Sequence, residues 1–451
     1  MQANPTCAIL ALSALALTGA VCAAAAVSAP AAANRPNIIL CMTDDQGWGD
    51  VGYNGLKKIK TPNLDAMAAA GLRFDRFYSA HPSCSPTRAS VMTGRHPYRM
   101  DCLWPGMTLR KGEITIAQAV KTAGYATGHF GKWHLSGGKP GTGRVMPNTE
   151  PFAPVNVGFD ESFSLSNYFE TDATFGHNGV PEKTTGDGSD VIVDRALKFI
   201  ELNVKQNKPV LAVVWFGSPH IPLKPTAEDL AAAGGSPYYG EIIGVDRSMG
   251  TMRAGLRKLG IADNSLLMFC SDNGAWMDGN PPPDTFGTNS TLRGHKGELW
   301  EGGIRVPGII EWPARIKQPV ITNVMAVTSD IYPTVMDILK IKIPNQVLPL
   351  DGISLVPLID GQMKQRPSPI GFWHHGETSL EDGPAVWNDN QYKLHLRPVD
   401  KYELYDLIKD PSEKTDIAAG HPEVVNRMKT ELEAWLKSVQ RSRDGADYPK
   451  P

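Results

Sequence analysis

From Pro36 onward, short apolar runs alternate with stretches of helical periodicity, a texture that predicts βαβ units around a largely parallel sheet. Residues 37–42 read as the first strand. Thr61 stands where it can cap a helix with Pro62 at its first position, Leu64, Met67 and Ala68 on one face and Gly71 as its stop. A second helix is predicted over residues 116–123, ending at Gly124 and followed by a strand over 126–130. Residues 210–216 form another continuous apolar run, the mark of a buried strand. Ile242, Val245, Met249, Met252, Leu256 and Leu259 keep three-four spacing and predict an amphipathic helix stopped by Gly260, with the next strand over 266–270.

Beyond Ile343 the texture changes. Pro344, Pro349, Pro357, Pro367 and Pro369 punctuate a connecting stretch, after which residues 385–387 and 391–396 predict a hairpin around Asn388-Asp389-Asn390. A last helix starts at Pro422 and turns Val425, Met428, Leu432 and Trp435 inward, while the polar tail from Arg441 is expected to be loose. The predicted class is α/β: a mostly parallel central sheet flanked by helices, then a smaller α+β unit with a short antiparallel sheet and a terminal helix. We divide the chain into a leader at 1–33, a main unit at 34–365 and a C-terminal unit at 366–451. Residues 8–27 are almost all small and apolar and run into Ala- and Ser-rich sequence up to Ala33, as in a signal peptide cleaved between Ala26 and Ala33. No Lys or Arg precedes Arg35, which is unusual for such a leader, and an uncleaved anchor is the other reading. Export to the periplasm or the medium is expected, with no stable membrane span once the leader is removed.

Composition narrows the partner rather than the fold. At 451 residues, with 41% apolar and 20% charged, the chain can bury a sizeable core. Its 45 basic and 47 acidic residues nearly cancel and form no run of one sign, so no nucleic-acid surface is expected. Removing the leader takes Cys7 and Cys22 with it. Of the remaining cysteines, Cys41 and Cys270 lie in apolar runs and read as core, Cys84 and Cys102 lie in polar loop surroundings where an oxidising compartment would permit a bridge, and no pair has zinc spacing.

The chemistry gathers at predicted strand ends. The first strand runs into Asp44-Asp45, the 266–270 strand into Asp272-Asn273, and the 210–216 strand into His220. Ligands of open α/β sheets bind at the carboxyl ends of strands, and an all-oxygen set of three carboxylates and an amide suits a hard cation such as Ca²⁺ or Mg²⁺. Carboxylates brought together repel and need one. Separately, His81-Pro82-Ser83-Cys84-Ser85-Pro86-Thr87-Arg88 leads to Thr93-Gly94-Arg95. Pro86 is well placed as the first residue of a helix, which puts Cys84 at the positive end of its dipole, where a low-pKa thiolate is one functional possibility.

The string C-S-P-T-R resembles the C-x-P-x-R signature of the type I sulfatases, members of the alkaline phosphatase superfamily, in which the Cys is converted to formylglycine. Five further segments resemble family motifs in family order: Asp44-Asp45-Gln46-Gly47, Gly131-Lys132-Trp133-His134, Pro219-His220-Ile221-Pro222, Ser271-Asp272-Asn273-Gly274, and Gly294-His295-Lys296-Gly297 through Glu301-Gly302-Gly303-Ile304-Arg305. The texture is similar to the branch containing arylsulfatase A and N-acetylgalactosamine-6-sulfatase. The resemblance implies an alkaline-phosphatase-like sheet and one Ca²⁺, with Mg²⁺ possible, held by Asp44, Asp45, Asp272, Asn273 and the modified residue 84. A hydrated aldehyde at 84 could attack sulfur with one hydroxyl and use the other to release sulfate, an exit that a plain Ser or Cys lacks. Arg88 would hold the hydrate, and Lys132 and Lys296 would neutralise sulfate oxygens. His134 would assist breakdown of the intermediate, His220 would protonate the leaving oxygen, and Asp272 is the candidate base.

Trp133 is expected to pack, and Glu301 and Arg305 to form a structural pair. Ser136 stands where the family often has Gly, and His295, where a small residue is common, could line the entrance. Specificity is expected in loops 136–154, 166–188 and 274–290, with Trp104, Tyr168 and Trp276 as candidate sugar platforms and His374-His375 near the pocket mouth. A sulfated carbohydrate or aryl sulfate is the expected substrate, and a formylglycine-generating enzyme the expected maturation partner. Two other functions remain: a phosphate or phosphonate ester hydrolase of the same superfamily, disfavoured because related phosphonate hydrolases carry Asp-His at 272–273, and a sulfated-glycan-binding protein without turnover.

Overall fold

The computed structural model describes residues 1–2, 35–137, 141, 143–169, 171–276, 291–375, 383–397 and 401–449; the leader beyond its first two residues, its cleavage zone and most of loop 274–290 lie outside the described residues. Five parallel strands form the centre of a ten-stranded sheet, in the order Ser265–Ser271, Asn37–Thr43, Val210–Trp215, Ala126–Lys132 and Glu161–Leu165. Shorter strands flank them, among them Gly308–Glu311, which pairs antiparallel to Ser265–Ser271. Every residue of the four strands from 265–271 to 126–132 is buried, because both faces are covered. Alternation divides their side chains between two cores. Ile38, Leu40, Met42, Leu211, Val213 and Trp215 enter one, and Ile39, Cys41, Ala212, Val214 and Phe216 the other.

The predicted helices form with shifted ends. Thr61 occupies the cap position of the helix Pro62–Ala68, but its hydroxyl accepts from the Gly52 amide at 2.8 Å and meets Asp65 at 3.1 Å instead of capping. The helix Ile116–Lys121 ends two residues before Ala123, and Thr115 and Gln118 close a reciprocal capping box at its start. In Pro237–Lys258, Ile242, Val245, Met249, Met252 and Leu256 are buried, as their spacing predicts.

The C-terminal sheet pairs Ile370–Trp373, Ala385–Asp389, Tyr392–Arg397 and Lys401–Asp406 antiparallel in chain order, and the helix Pro422–Arg443 packs against it. Its core is shared with the large unit: Ile370, Phe372 and Val386 pack with Tyr78, Leu299 and Ile304. The tail, expected to be loose, is docked. Arg443 pairs with Asp101 at 2.7 Å, Asp447 with the buried Arg95 at 2.7 Å, and the Tyr448 ring lies 4.3 Å from the Arg110 guanidinium, so a polar tail finds polar partners. The four cysteines at 41, 84, 102 and 270 are all buried free thiols.

A buried ion cluster joins the two units. Lys393, on the third strand of the small sheet, lies 3.0 Å from Glu301 and 2.9 Å from Glu413, and His395 is 2.9 Å from Glu413. Removing the cation strands two carboxylates in a dry interior. Lys393→Met is therefore expected to destabilise the fold by about 3–5 kcal/mol, read as a lower urea midpoint. Burial alone would raise the Glu413 carboxyl, yet Lys393 and His395 hold it down at about 2, below its ordinary 4.5. A depressed acid stabilises the ionised fold, so its contribution is complete above pH 4.5 and is lost as pH falls through 4.5 toward 2. Melting temperatures measured across that window should fall with acid, and Glu413→Gln should flatten the slope.

Candidate active site

Parallel strands place their carboxyl ends along one edge of the sheet, and there the chain collects its polar motifs. Asp44 follows Asn37–Thr43, Asp272 follows Ser265–Ser271, Lys132 closes Ala126–Lys132, and the loop after Val210–Trp215 carries His220. Backbone bonds lock these ends together: the Asp44 amide donates to the Ser218 carbonyl at 3.1 Å, and the Asp272 amide to the Thr43 carbonyl at 3.1 Å. Two glycines permit the approach. A Cβ on Gly131, whose φ is +104°, would sit 1.9 Å from the Trp215 carbonyl oxygen, and one on Gly274 would sit 1.8 Å from that of Gly302. Asp45 and His134 take left-handed φ values of +68° and +56°, a strain of about 1–3 kcal/mol each that an over-determined site can hold.

Cys84 enters on a wholly buried helix, Cys84–Thr93. The helix begins at Cys84 with Ser83 before it, two residues earlier than Pro86 suggests; Pro86 still falls in the first turn, where no backbone donor is needed. The thiol donates to Asp44 Oδ1 at 3.3 Å. Burial first, and then the Asp44 charge, push the Cys84 thiol up, against the low-pKa thiolate that its place at a helix start left as one possibility.

Around this residue three cations meet three carboxylates. Arg88 donates through Nη2 to Asp272 Oδ2 at 2.7 Å and through Nη1 to the Lys132 carbonyl at 2.9 Å, with its guanidinium 5.0 Å from the Trp215 ring. Lys132 bonds Asp44, and Lys296 lies 2.6 Å from Asp45. Burial would raise the Asp44 carboxyl, but Lys132, His220, Arg88 and Lys296 together hold it well below the usual carboxylate range. Burial and the charge on Asp44 push Asp272 the other way, against the pull of Arg88. Burial also lowers His134 and, against the pull of Asp44 and Asp45, His220. His220 Nε2 is 3.8 Å from Asp45, and its ring stacks on Tyr168 at 5.1 Å.

The site also holds a group of atoms able to bind a metal ion. Atoms of Asp44, Asp45, Cys84 and His220 lie within 4.8 Å of one another. Asn273 Nδ2 donates to Asp45 Oδ1 at 2.7 Å, and its buried Oδ1 has no hydrogen-bond partner among the described residues. A buried carbonyl oxygen without a donor is free to serve as a ligand atom. Asp272 differs, since Oδ2 accepts from Arg88 and Oδ1 from the Asp45 amide at 3.2 Å.

Every sequence-predicted site residue reaches this cluster, and its surroundings sort the remainder. Trp133 is fully buried and stacks on Trp215. Glu301 and Arg305 pair at 3.5 Å, but the closer partners of Glu301 are Lys393 and Tyr78, both at 3.0 Å. Tyr168 gives one face to His220, Trp276 lies beneath Lys296 at 5.6 Å, and only Trp104 is well exposed, at 48%. Neighbouring it, His375 meets its edge at 5.9 Å, and His374 packs on His81. His295 bonds the Lys296 carbonyl and is partly exposed. Ser85, unnoticed in sequence, donates to the His134 carbonyl at 2.6 Å and accepts from Gly106 at 2.8 Å; only its place beside Cys84 could have flagged it.

Comparison with known proteins agrees with this geometry. The sulfatase family model matches residues 36–341, and the model of the N-sulphoglucosamine sulphohydrolase C-terminal region matches 295–440. The N-acetylgalactosamine-6-sulfatase of Mus musculus is 31% identical over 410 residues, covering 83% of this chain and 75% of its own. Arylsulfatase A of Homo sapiens is 28% identical, covering 88% and 87%. The crystal structure of Ps i-CgsB in complex with k-i-k-neocarrahexaose superposes with a TM-score of 0.79 at 28% identity, covering 89% and 92%. With a buried C-S-P-T-R helix, two acidic strand ends and three cations converging on one edge of the expected α/β sheet, and a family match over most of its length, the chain belongs to the sulfatase family and is a sulfuric ester hydrolase.

Proposed function

We propose that this enzyme cleaves the sulfate monoester of a sulfated carbohydrate, with Cys84 converted to formylglycine and one divalent cation, Ca²⁺ or Mg²⁺, held by Asp44, Asp45, Asp272, Asn273 and residue 84. The observation that carries the reading is the state of residue 84. It sits at the start of a buried helix within reach of Asp44, ringed by cations, yet as a thiol it is held protonated and makes a poor nucleophile. Conversion to an aldehyde hydrate supplies two oxygens in place of one sulfur, and the cation supplies positive charge that sharpens such an oxygen as a nucleophile.

The chain's own groups divide the remaining tasks. Arg88 orients the oxygens at position 84 while fixed to Asp272. Lys132 and Lys296 exchange part of their pairing with Asp44 and Asp45 for the incoming sulfate oxygens, so negative charge is met by groups already desolvated and aimed. Asp272, raised by burial, takes a proton from the nucleophile. His220, in its protonated form, gives a proton to the departing oxygen, and His134, whose Nδ1 has no partner among the described residues, serves the collapse that frees sulfate. Asp272-Asn273, with an unpaired amide oxygen, favours this assignment over the phosphonate hydrolases with Asp-His at that place. Sulfated sugars are favoured over simple aryl sulfates by the relative named N-acetylgalactosamine-6-sulfatase and by the neocarrahexaose bound to Ps i-CgsB. Residues 34–365 are taken as the catalytic unit, 366–451 as its C-terminal partner, and the leader as the signal that exports the chain after a formylglycine-generating enzyme has acted. No helix among the described residues is long and apolar enough to cross a membrane.

Mass spectrometry of the peptide spanning residue 84 from active enzyme should find an aldehyde; a thiol in fully active material would refute the mechanism. Cys84→Ala should lower kcat by about 10³-fold or more on any sulfate ester while leaving the melting temperature close to that of the parent. Chelator-treated enzyme should lose activity and also melt at a lower temperature, because three buried carboxylates lose a shared counter-charge; Ca²⁺ or Mg²⁺ should restore both, and Zn²⁺, a poorer match for oxygen ligands, should restore neither fully.

A further inference from the structure

Ser218 opens and Lys224 closes the loop that carries His220, and both are bonded to a single buried side chain on the long helix Pro237–Lys258. Ser218 Oγ donates to Glu241 Oε2, and the Lys224 amide donates to Glu241 Oε1 at 2.7 Å. Within the loop, Pro219 and Pro222 have no backbone N–H, the His220 amide donates to the Gly217 carbonyl at 3.2 Å, and His220 Nδ1 meets the Ile221 carbonyl, so the ring is tied to the loop's own backbone while the loop's ends are held from outside. Burying a carboxyl group costs desolvation, so apolar packing would be the simpler way to seat a loop. Here both carboxyl oxygens are given to the two ends of one segment. Ser218 is shared further: its carbonyl accepts from the Asp44 amide at 3.1 Å. The chain Glu241–Ser218–Asp44 thus ties the His220 loop to the strand end that bears the acidic pair.

We propose that Glu241 is a positioning residue for the leaving-group step: by clamping both ends of loop 218–224 it fixes the distance of His220 from the reacting oxygen. The inference rests on His220 acting as the acid toward that oxygen, as set out above. Tyr168, stacked on the imidazole at 5.1 Å and 18°, limits ring tilt, but a stacking contact permits sliding in the plane. The carboxylate clamp removes that freedom by holding the backbone on either side. Its effect is selective: a sugar alkoxide is a poor leaving group and needs the proton, whereas 4-nitrophenolate leaves without it.

The experiment compares kcat and KM on 4-nitrophenyl sulfate and on a sulfated sugar that the parent enzyme hydrolyses, using enzyme with residue 84 fully converted. Glu241→Ala is expected to lower kcat on the sugar sulfate by about 10²-fold, the lower end of what a placed acid contributes, with KM little changed and 4-nitrophenyl sulfate largely spared. Glu241→Gln, which can accept from the Lys224 amide and donate to Ser218 Oγ, should restore most of the loss. If Glu241→Ala fails to fold, Ser218→Ala, which cuts the clamp at one end, carries the same comparison and should show the same split at smaller amplitude. Equal losses on both substrates, no loss on the sugar sulfate, or no rescue by Gln would overturn the assignment. His220→Ala separates the two levels: a split there with none at Glu241 removes only the clamp, while uniform loss in His220→Ala removes the acid role of His220 and the clamp's purpose with it.

Discussion

The site depends on a balance that a dry interior enforces. Asp44, Asp45 and Asp272 face Arg88, Lys132 and Lys296, and five of these six side chains are essentially inaccessible to water. Charges at that depth cannot be left over, since each ion withdrawn from water costs several kcal/mol and only close opposite charge returns it. The requirement explains why the catalytic groups have so little latitude. Arg88 divides its donors between Asp272 and the Lys132 carbonyl, so moving it would disturb a carboxylate and a strand end together. The same balance makes the place receptive to an anion, because the lysines that neutralise carboxylates can neutralise sulfate oxygens without reorganisation of solvent.

Much of this was legible in the sequence because parallel α/β architecture turns linear order into spatial order. Buried strands declare themselves as runs such as residues 37–42 and 210–216, and whatever follows them must lie on one edge; reading Asp44-Asp45, Asp272-Asn273 and His220 as neighbours needed no further information. Short-range signals did less well. Thr61 had the composition of a cap but spends its hydroxyl on Gly52 and Asp65, and the helix at Cys84 starts before its proline because the whole first turn is fixed by tertiary contacts. The protonation of the Cys84 thiol stayed open in the sequence for a related reason: a helix dipole is visible there, while full burial beside a carboxylate is not. Polarity alone suggested a loose tail, because partners such as Arg95 and Glu113 stand more than 300 positions away in sequence.

The small C-terminal sheet is a buttress for the late lysine motif. Lys393 and Glu413 hold Glu301, whose amide donates to Glu413 Oε2 at 2.7 Å, and Trp300 stacks on His395 at 4.2 Å. Lys296 lies five residues earlier in the same tight turn, and the Gly297 amide donates to the Pro82 carbonyl at 2.9 Å, two residues before Cys84. A displacement of the small sheet would therefore reach both Lys296 and the segment that presents residue 84. Lys393, Glu413 and His395 lie in no recognised motif, and the coupling becomes visible only when their side chains converge.

The thiol at position 84 also bears on why the site is built as it is. A catalytic cysteine is usually activated by exposure to positive charge, and here three cations stand nearby, yet each is already committed to a carboxylate. Their field at the sulfur is largely cancelled, and Asp44, the nearest carboxylate, adds to the desolvation that keeps the proton on. The arrangement that defeats a thiolate suits the neutral hydrate proposed for this position. Two hydroxyls can donate to Asp44 and Asp272 while Arg88 holds an oxygen, and no net charge need be created until the ester is in place. A neutral group that donates to these carboxylates suits the place where a thiolate would be repelled by Asp44.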